Sequence, residues 1–140
     1  MAAKKQSRKL SIPSELGHAR LVQSEIETAL VTAEFTERDI FAIKLALEEA
    51  LVNAIKHGNS LDPDKRVHVE YSVNNDKFEI RIRDEGPGFD PNCVPDPTDP
   101  QYLERPCGRG LLLMRHYMNH VEYSERGRSL HMWKLRNGQH

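Results

Sequence analysis

The sequence predicts an α+β fold: a two-layer α/β sandwich in which a mixed, mostly antiparallel sheet carries helices on one face. Three observations lead there. Two segments, around residues 67–73 and 78–82, alternate apolar and polar residues with the period of a strand. Two segments ahead of them carry apolar residues at helical spacing. The order along the chain is strand, two helices, hairpin, long loop, helix, hairpin. A length of 140 residues suits a single domain, 1–140, built on one core.

Leu10 and Ile12 alternate with polar neighbours and make a short strand that Pro13 ends. Ser14 is placed to cap the helix that follows, whose apolar side is Leu21, Val22, Ile26, Ala29 and Leu30. Thr36 caps a second helix, with Asp39 three residues on as a shortened capping-box acid; Gly58 is its stop. Val67, Val69, Tyr71 and Val73 line one face of the next strand, and Phe78, Ile80 and Ile82 line one face of its partner; Asn74-Asn75 is the turn between them. From Glu85 to Cys107 the chain is rich in Pro, Gly and Asp and has no period, the signature of a lid or a disordered segment. A helix from about Gly108 to Asn119 and strands near Val121–Tyr123 and Leu130–Leu135 complete the chain.

The bulk properties exclude several classes. Hydrophobic residues make up 38% and charged residues 29%, with a net charge of -1. That balance lacks the basic footprint of a general nucleic-acid binder. No apolar run approaches the ~18 residues of a membrane span. The basic N-terminal stretch AAKKQSRK has no apolar centre of a signal peptide and reads as a frayed end or part of an edge strand. Cys93 and Cys107 fit a reducing compartment as free thiols, since a structural zinc site needs about four ligands. Together these features predict a cytoplasmic protein.

Three segments carry candidate chemistry. On the second helix, Ile40, Ile43, Leu47, Ala50, Leu51 and Ala54 gather on the core arc at about 100° per residue. Glu49, Asn53, Lys56 and His57 gather on the opposite arc with Ala42 and Ala46, so small residues leave room beside a carboxylate and a carboxamide one turn apart. This is either a plain solvated face or a magnesium-nucleotide site, with the Asn53 carbonyl oxygen on the metal and Glu49 as general base. In the second segment, Asp84 continues the inward row of Phe78, Ile80 and Ile82 and precedes Glu85-Gly86-Pro87-Gly88-Phe89. A buried carboxylate needs donors. Either an exocyclic amine such as that of adenine supplies them, with Gly86 and Gly88 admitting a flat ligand, or Asp84 caps its own turn. In the third, Gly108-Arg109-Gly110 opens a helix, which is either an anion site or an ordinary junction.

In combination, EEALVNAIKHGN on a helix, DEGPGF after a strand and GRGLLLM at a helix start resemble the asparagine box and two glycine boxes of the gyrase, histidine-kinase and mismatch-repair ATPase superfamily, with its Bergerat-type ATP-binding fold. The resemblance spans about Leu10 to Leu135 and is nearest to the small anti-sigma-factor serine/threonine kinases. It implies ATP and Mg2+ as cofactors. Glu49 then matches the general base, Asn53 the magnesium ligand, and Asp84 the acid that reads adenine, with Gly86 and Gly88 shaping its pocket. Gly108 and Gly110 match the lid glycines, Arg109 the basic residue between them, and Lys56 and His57 phosphate neighbours. Arg20 resembles an arginine that relatives use for partner contact. Ser129 stands where relatives often show a threonine near adenine, although here the turn reads Gly127-Arg128-Ser129.

The implied phosphoacceptor is a small antagonist (anti-anti-sigma) protein. Many relatives also sequester a sigma factor, and relatives often form homodimers; no direct nucleic acid or membrane contact is implied. The implied lid is about 85–107. Alternatives are a non-catalytic, nucleotide-gated protein-binding regulator, a slow ATP-hydrolysing switch, and a histidine-kinase-type catalytic domain. The last usually carries asparagine at the position of Glu49 and works with a helical hairpin bearing the phosphoacceptor histidine, for which this chain leaves no room.

Overall fold

The computed structural model describes residues 6–87 and 111–136. Strand β1 (Gln6–Pro13) is followed by helices α1 (Leu16–Thr32) and α2 (Glu37–Val52), and α2 runs into a π-helical segment, Asn53–Gly58. Strands β2 (Arg66–Val73) and β3 (Lys77–Arg83) come next, then helix α3 (Leu111–Tyr117) and strands β4 (His120–Ser124) and β5 (Ser129–Leu135). The strands form one sheet in the order β1-β2-β3-β5-β4. Every pairing among the described residues is antiparallel, so the sheet has no mixed part there. The reason lies in the connections. Two are hairpins, and between β1 and β2 the chain goes out along α1 and back along α2, where Lys44 meets Glu27 at 3.2 Å. That return sets Pro13 opposite Arg66.

The strand alternation holds through the core. Val67, Val69, Tyr71 and Val73 from β2, Phe78, Ile80 and Ile82 from β3, and Leu130 and Met132 from β5 are buried against Val22, Ile26, Ala29 and Leu30 of α1 and Ile43, Leu47 and Leu51 of α2. At the α1–α2 end, Thr36 Oγ1 accepts the Asp39 N–H at 3.1 Å, as the sequence predicts, and the Asp39 carboxylate is fully buried 3.7 Å from Lys134. The opposite face of the sheet is polar. There His120 stacks on Trp133 at 4.0 Å, Lys77 stands 5.2 Å above the same indole, and His131 meets Glu79 at 2.5 Å.

Three expectations require correction. Leu21 is 68% exposed and does not belong to the apolar side of α1, where Ala19 takes its place. Ala42 and Ala46 do not line an open groove: both are buried, because α2 packs against α3 as well as α1. Ser14 does not cap α1, whose N-cap is Glu15. Its hydroxyl instead donates to the Lys65 carbonyl at 2.7 Å and accepts from Asn59 at 3.0 Å.

That last contact belongs to a junction that ties the end of α2 to the ends of three strands. Asn59 is fully buried. Its Nδ2 donates to Ser14 Oγ and, at 2.9 Å, to the Arg66 carbonyl; its Oδ1 accepts the Glu85 N–H at 2.7 Å. Glu85 in turn accepts from the Arg66 N–H at 2.9 Å and contacts His68 at 2.8 Å. Both hold the Glu85 carboxyl below the usual range, the Arg66 bond more strongly. Beneath Asn59 the backbones touch. A Cβ on Gly58 would lie 2.4 Å from Asp84 Oδ2, and one on Gly86 would lie 1.8 Å from the Gly58 carbonyl oxygen.

Gly86→Ala is therefore expected to lower stability by at least about 1–3 kcal/mol, the cost of overpacking a site that cannot yield. Gly17→Ala, in α1 with nothing within 4 Å of the new methyl, is expected to be neutral or to stabilise by about 0.4–1 kcal/mol. Thermal denaturation of the two variants beside the wild type checks both.

Candidate active site

Helix α2 extends to Gly58 as the sequence predicts, but its last six residues are π-helical. The Asn59 N–H reaches back to the Ala54 carbonyl at 2.9 Å. Such wide turns are uncommon and gather at functional sites. Here the turn lies within the NAIKHG segment, with Asn53 and Ile55 buried, Lys56 exposed and His57 half-buried. Asn53 is only 5% exposed, and its Nδ2 has no hydrogen-bond partner. One turn earlier, Glu49 is half-buried on the same side of the helix.

Across from this helix end, β3 delivers Asp84 at 7% exposure. Its N–H donates to the Arg128 carbonyl at 2.9 Å, and its Oδ1 accepts the Gly86 N–H at 2.9 Å. The turn-capping role weighed for Asp84 is thus real for one oxygen, while Oδ2 lies against Gly58. Burial pushes the carboxyl up. The Gly86 hydrogen bond and the positive charges of Arg128, Lys65 and Arg83 oppose that shift without cancelling it. Gly86 is needed first for the contact with Gly58, a protein backbone rather than a flat ligand.

A residue that the sequence reading passed over links the two sides. Tyr123, on β4, pairs with Leu130, which pairs with Ile82, so it shares the helix-facing row that leads to Asp84. Burial suppresses ionisation of its phenol most, followed by the carboxylates of Glu49 and Asp84; the Asn53 amide and Arg115 act in the opposite sense. Glu49, Asn53 and Asp84, proposed from separate segments, thus each bear on the ionisation of this one phenol.

Other predicted positions do not converge. Ser129 pairs with Arg83 and Ser124 on the sheet face away from Asp84; the residue of that turn that reaches Asp84 is Arg128, whose Nε is buried without a partner. Arg20 is exposed on α1. Gly88, Gly108, Arg109 and Gly110, Cys93 and Cys107, and all of the expected lid beyond Pro87 lie outside the described residues. Asn59 was also unread: its three partners are 45, 7 and 26 residues away, and no local pattern announces them. The aromatic hydroxyl of Tyr123, at a strand end and in phase with Val121, was the one available signal for that residue.

The sequence model of the histidine kinase-like ATPase domain matches residues 12–134. The chain belongs to this family. Among its relatives is the anti-sigma F factor of Oceanobacillus iheyensis, 30% identical over 132 residues, which cover 85% of this chain and 89% of that one. The serine-protein kinase RsbW of Listeria innocua is 29% identical over 135 residues, covering 91% and 86%. Among solved structures, the RsbU and RsbW domains of a Mycobacterium tuberculosis protein superpose with a TM-score of 0.64 over 93% of this chain. The chain spans 32% of that structure, and at 15% identity the likeness speaks to the fold alone. No helix among the described residues is long and apolar enough to cross a membrane.

A histidine kinase-like ATPase domain uses a nucleotide, and the site's donors suit one. Asn53 Nδ2 and Arg128 Nε are both buried and unpartnered, and the Arg128 carbonyl accepts the N–H of the buried Asp84. The raised Asp84 pKa also has a consequence for stability. An acid favoured in its protonated form by folding adds stability below its unfolded pKa and loses it as pH rises through the folded value. At neutral pH the Asp84 charge thus weakens the ligand-free fold. Asp84→Asn, which keeps an oxygen for the Gly86 N–H, is expected to melt at the same or a higher temperature than wild type at pH 7 and to lose that advantage near pH 4. Melting curves across that range, without nucleotide, check it; a variant less stable than wild type at pH 7 contradicts the burial cost.

Proposed function

We propose that this chain is an ATP-dependent serine/threonine protein kinase of the anti-sigma-factor type. The observation that carries the reading is that the end of α2, with Asn53 buried and its Nδ2 unpartnered, closes through Gly58 directly against the buried Asp84 carboxylate. Glu49, Asn53 and Asp84 divide the work of phosphoryl transfer, which is mostly positioning and charge stabilisation. Asp84 accepts the exocyclic amine of adenine. The Asn53 carbonyl oxygen holds Mg2+, and Lys56 and His57 stand near the phosphates. A magnesium ion bound there neutralises phosphate charge. Glu49 takes the proton of the acceptor hydroxyl as that oxygen bonds the γ-phosphorus and the bond to the ADP leaving group breaks.

The names of the relatives, anti-sigma F factor and serine-protein kinase, support a protein acceptor over water. The acceptor class is a small antagonist (anti-anti-sigma) protein, and a sigma factor is the second partner, with Arg20 exposed on α1 for that contact. We place the protein in the cytoplasm, as a single domain over 1–140 whose segment 85–107 is the lid. Gly88 shapes the adenine pocket, and Gly108, Arg109 and Gly110 meet the phosphates. The polar outer sheet face is the surface we assign to a homodimer.

Glu49→Ala separates these roles. It is expected to slow phosphate transfer from labelled ATP to an antagonist protein by about 100-fold or more, the usual loss of a general base. Its thermal stabilisation by magnesium-ATP should stay near the wild-type value, about 2.7 kcal/mol at a hundred times Kd. Transfer at the wild-type rate removes Glu49 from the mechanism. Stable complexes with the antagonist but no transfer by wild type favour the binding-regulator reading.

A further inference from the structure

The outer face of the sheet is lopsided about its central strand, β3. Across the five strands from β1 to β4, one row of residues is Ser7, Ser72, Glu79, Trp133 and His120. Its bulk lies on one side. The Trp133 indole stacks on His120 at 4.0 Å, stands 5.2 Å from Lys77 and stays partly exposed. On the other side of β3, Ser7 and Ser72 leave a hollow walled by Glu70, Glu79 and Arg81. The next row is Lys9, Glu70, Arg81, His131 and Glu122. Its two ends, Lys9 and Glu122, are exposed and opposite in charge.

A face of this kind fits a copy of itself. A two-fold axis parallel to β3 lays β5 of one copy over β2 of the other, and β4 over β1. Trp133 and His120 then meet the hollow at Ser72 and Ser7, Glu122 meets Lys9, and His131 meets Glu70. Each of these contacts occurs twice. On the axis, Glu79 and Arg81 stand two residues apart on β3 and pair crosswise, one from each copy. An axis along the second row instead lays Lys9 over Lys9 and Glu122 over Glu122, and like charges set opposite each other oppose association.

We propose that the outer sheet face binds a second copy of this chain about a two-fold axis parallel to β3, with Trp133 of each copy seated in the Ser7–Ser72 hollow of the other and Lys9 paired with Glu122. The inference rests on the homodimer reading of this face and gives that dimer its axis and its contacts. Two twisted sheets pack face to face with their strands within about 30° of one another, which accommodates the arrangement. The candidate active site lies on the helix side of the sheet and stays open in such a dimer.

Lys9 and Glu122 provide the test. They stand on opposite edges of the sheet, four strand spacings or roughly 19 Å apart, and cannot pair within one chain. Sedimentation equilibrium gives the dimer dissociation constant of wild type, Lys9→Glu, Glu122→Lys and the double variant. Each single reversal is expected to raise it about tenfold or more, by setting like charges opposite each other. The double variant restores the pair with its signs exchanged and is expected to return to within about threefold of wild type. Glu122 also contacts His120 of its own chain at 3.3 Å, but that contact is lost in the single and the double variant alike and cannot produce the rescue. Fluorescence of Trp133, the one tryptophan of the chain, is expected to move to longer wavelength as the dimer is diluted. A wild type that stays monomeric at every concentration tested overturns the homodimer reading and this arrangement with it. A wild-type dimer that the single reversals do not weaken, or that the double variant does not restore, overturns the arrangement and leaves the homodimer reading standing. Circular dichroism of each variant establishes that the fold is kept.

Discussion

The proposed active site depends on how one buried asparagine joins two layers. Asn59 spends its whole side chain on three elements: the end of β1 through Ser14, the start of β2 through the Arg66 carbonyl, and the exit of β3 through the Glu85 N–H. The helix that carries Glu49 and Asn53 ends at this point, and the strand that delivers Asp84 ends at Arg83, two residues before Glu85. Gly58 and Gly86 let the two backbones close on each other beneath it. A carboxylate from a strand and a carboxamide from a helix are thereby held in a fixed relation, although neither bonds to the other.

The site is built at a cost to the fold. Asp84 is buried where burial penalises its charge, and Asn53 and Arg128 each keep a buried donor without a partner. A buried unsatisfied donor forfeits about 1–3 kcal/mol, so a sequence selected for stability alone would have removed these groups. Their concentration around one helix end is the pattern of a site that a ligand completes. The π-helical turn at Asn53–Gly58 adds to it, since such wide turns are uncommon and gather at functional sites.

How much of this was legible in the sequence followed the range of the interactions. Period-two alternation through Phe78, Ile80 and Ile82 placed Asp84 on the inward face, and the structure has it there, because strand pleating is local. The arc of α2 gave the core residues correctly but left Ala42 and Ala46 open: a projection of one helix carries no information about α3 packing on its other side. Ser14 has the residue type of a cap, yet its hydroxyl is claimed by Asn59 and Lys65, far along the chain. Ser129 was placed by likeness to a motif, while strand register turned it away and set Arg128 beside Asp84. Tyr123 is in phase with Val121 on its strand, and only its aromatic hydroxyl at the strand end sets it apart. The family match, over residues 12–134, covers nearly the same span as the resemblance read from the sequence.

The claim that the junction holds the nucleotide site in register is tested most directly by titrating magnesium-ATP into wild type and Asn59→Ala at a temperature where both are folded. Asn59 spends its side-chain hydrogen bonds within the protein and has none left for a ligand. Wild type is expected to bind saturably and the variant to lose about tenfold or more in affinity, roughly 1.4 kcal/mol, as Asp84 and Asn53 lose their fixed spacing. Equal affinities in the two proteins would contradict it.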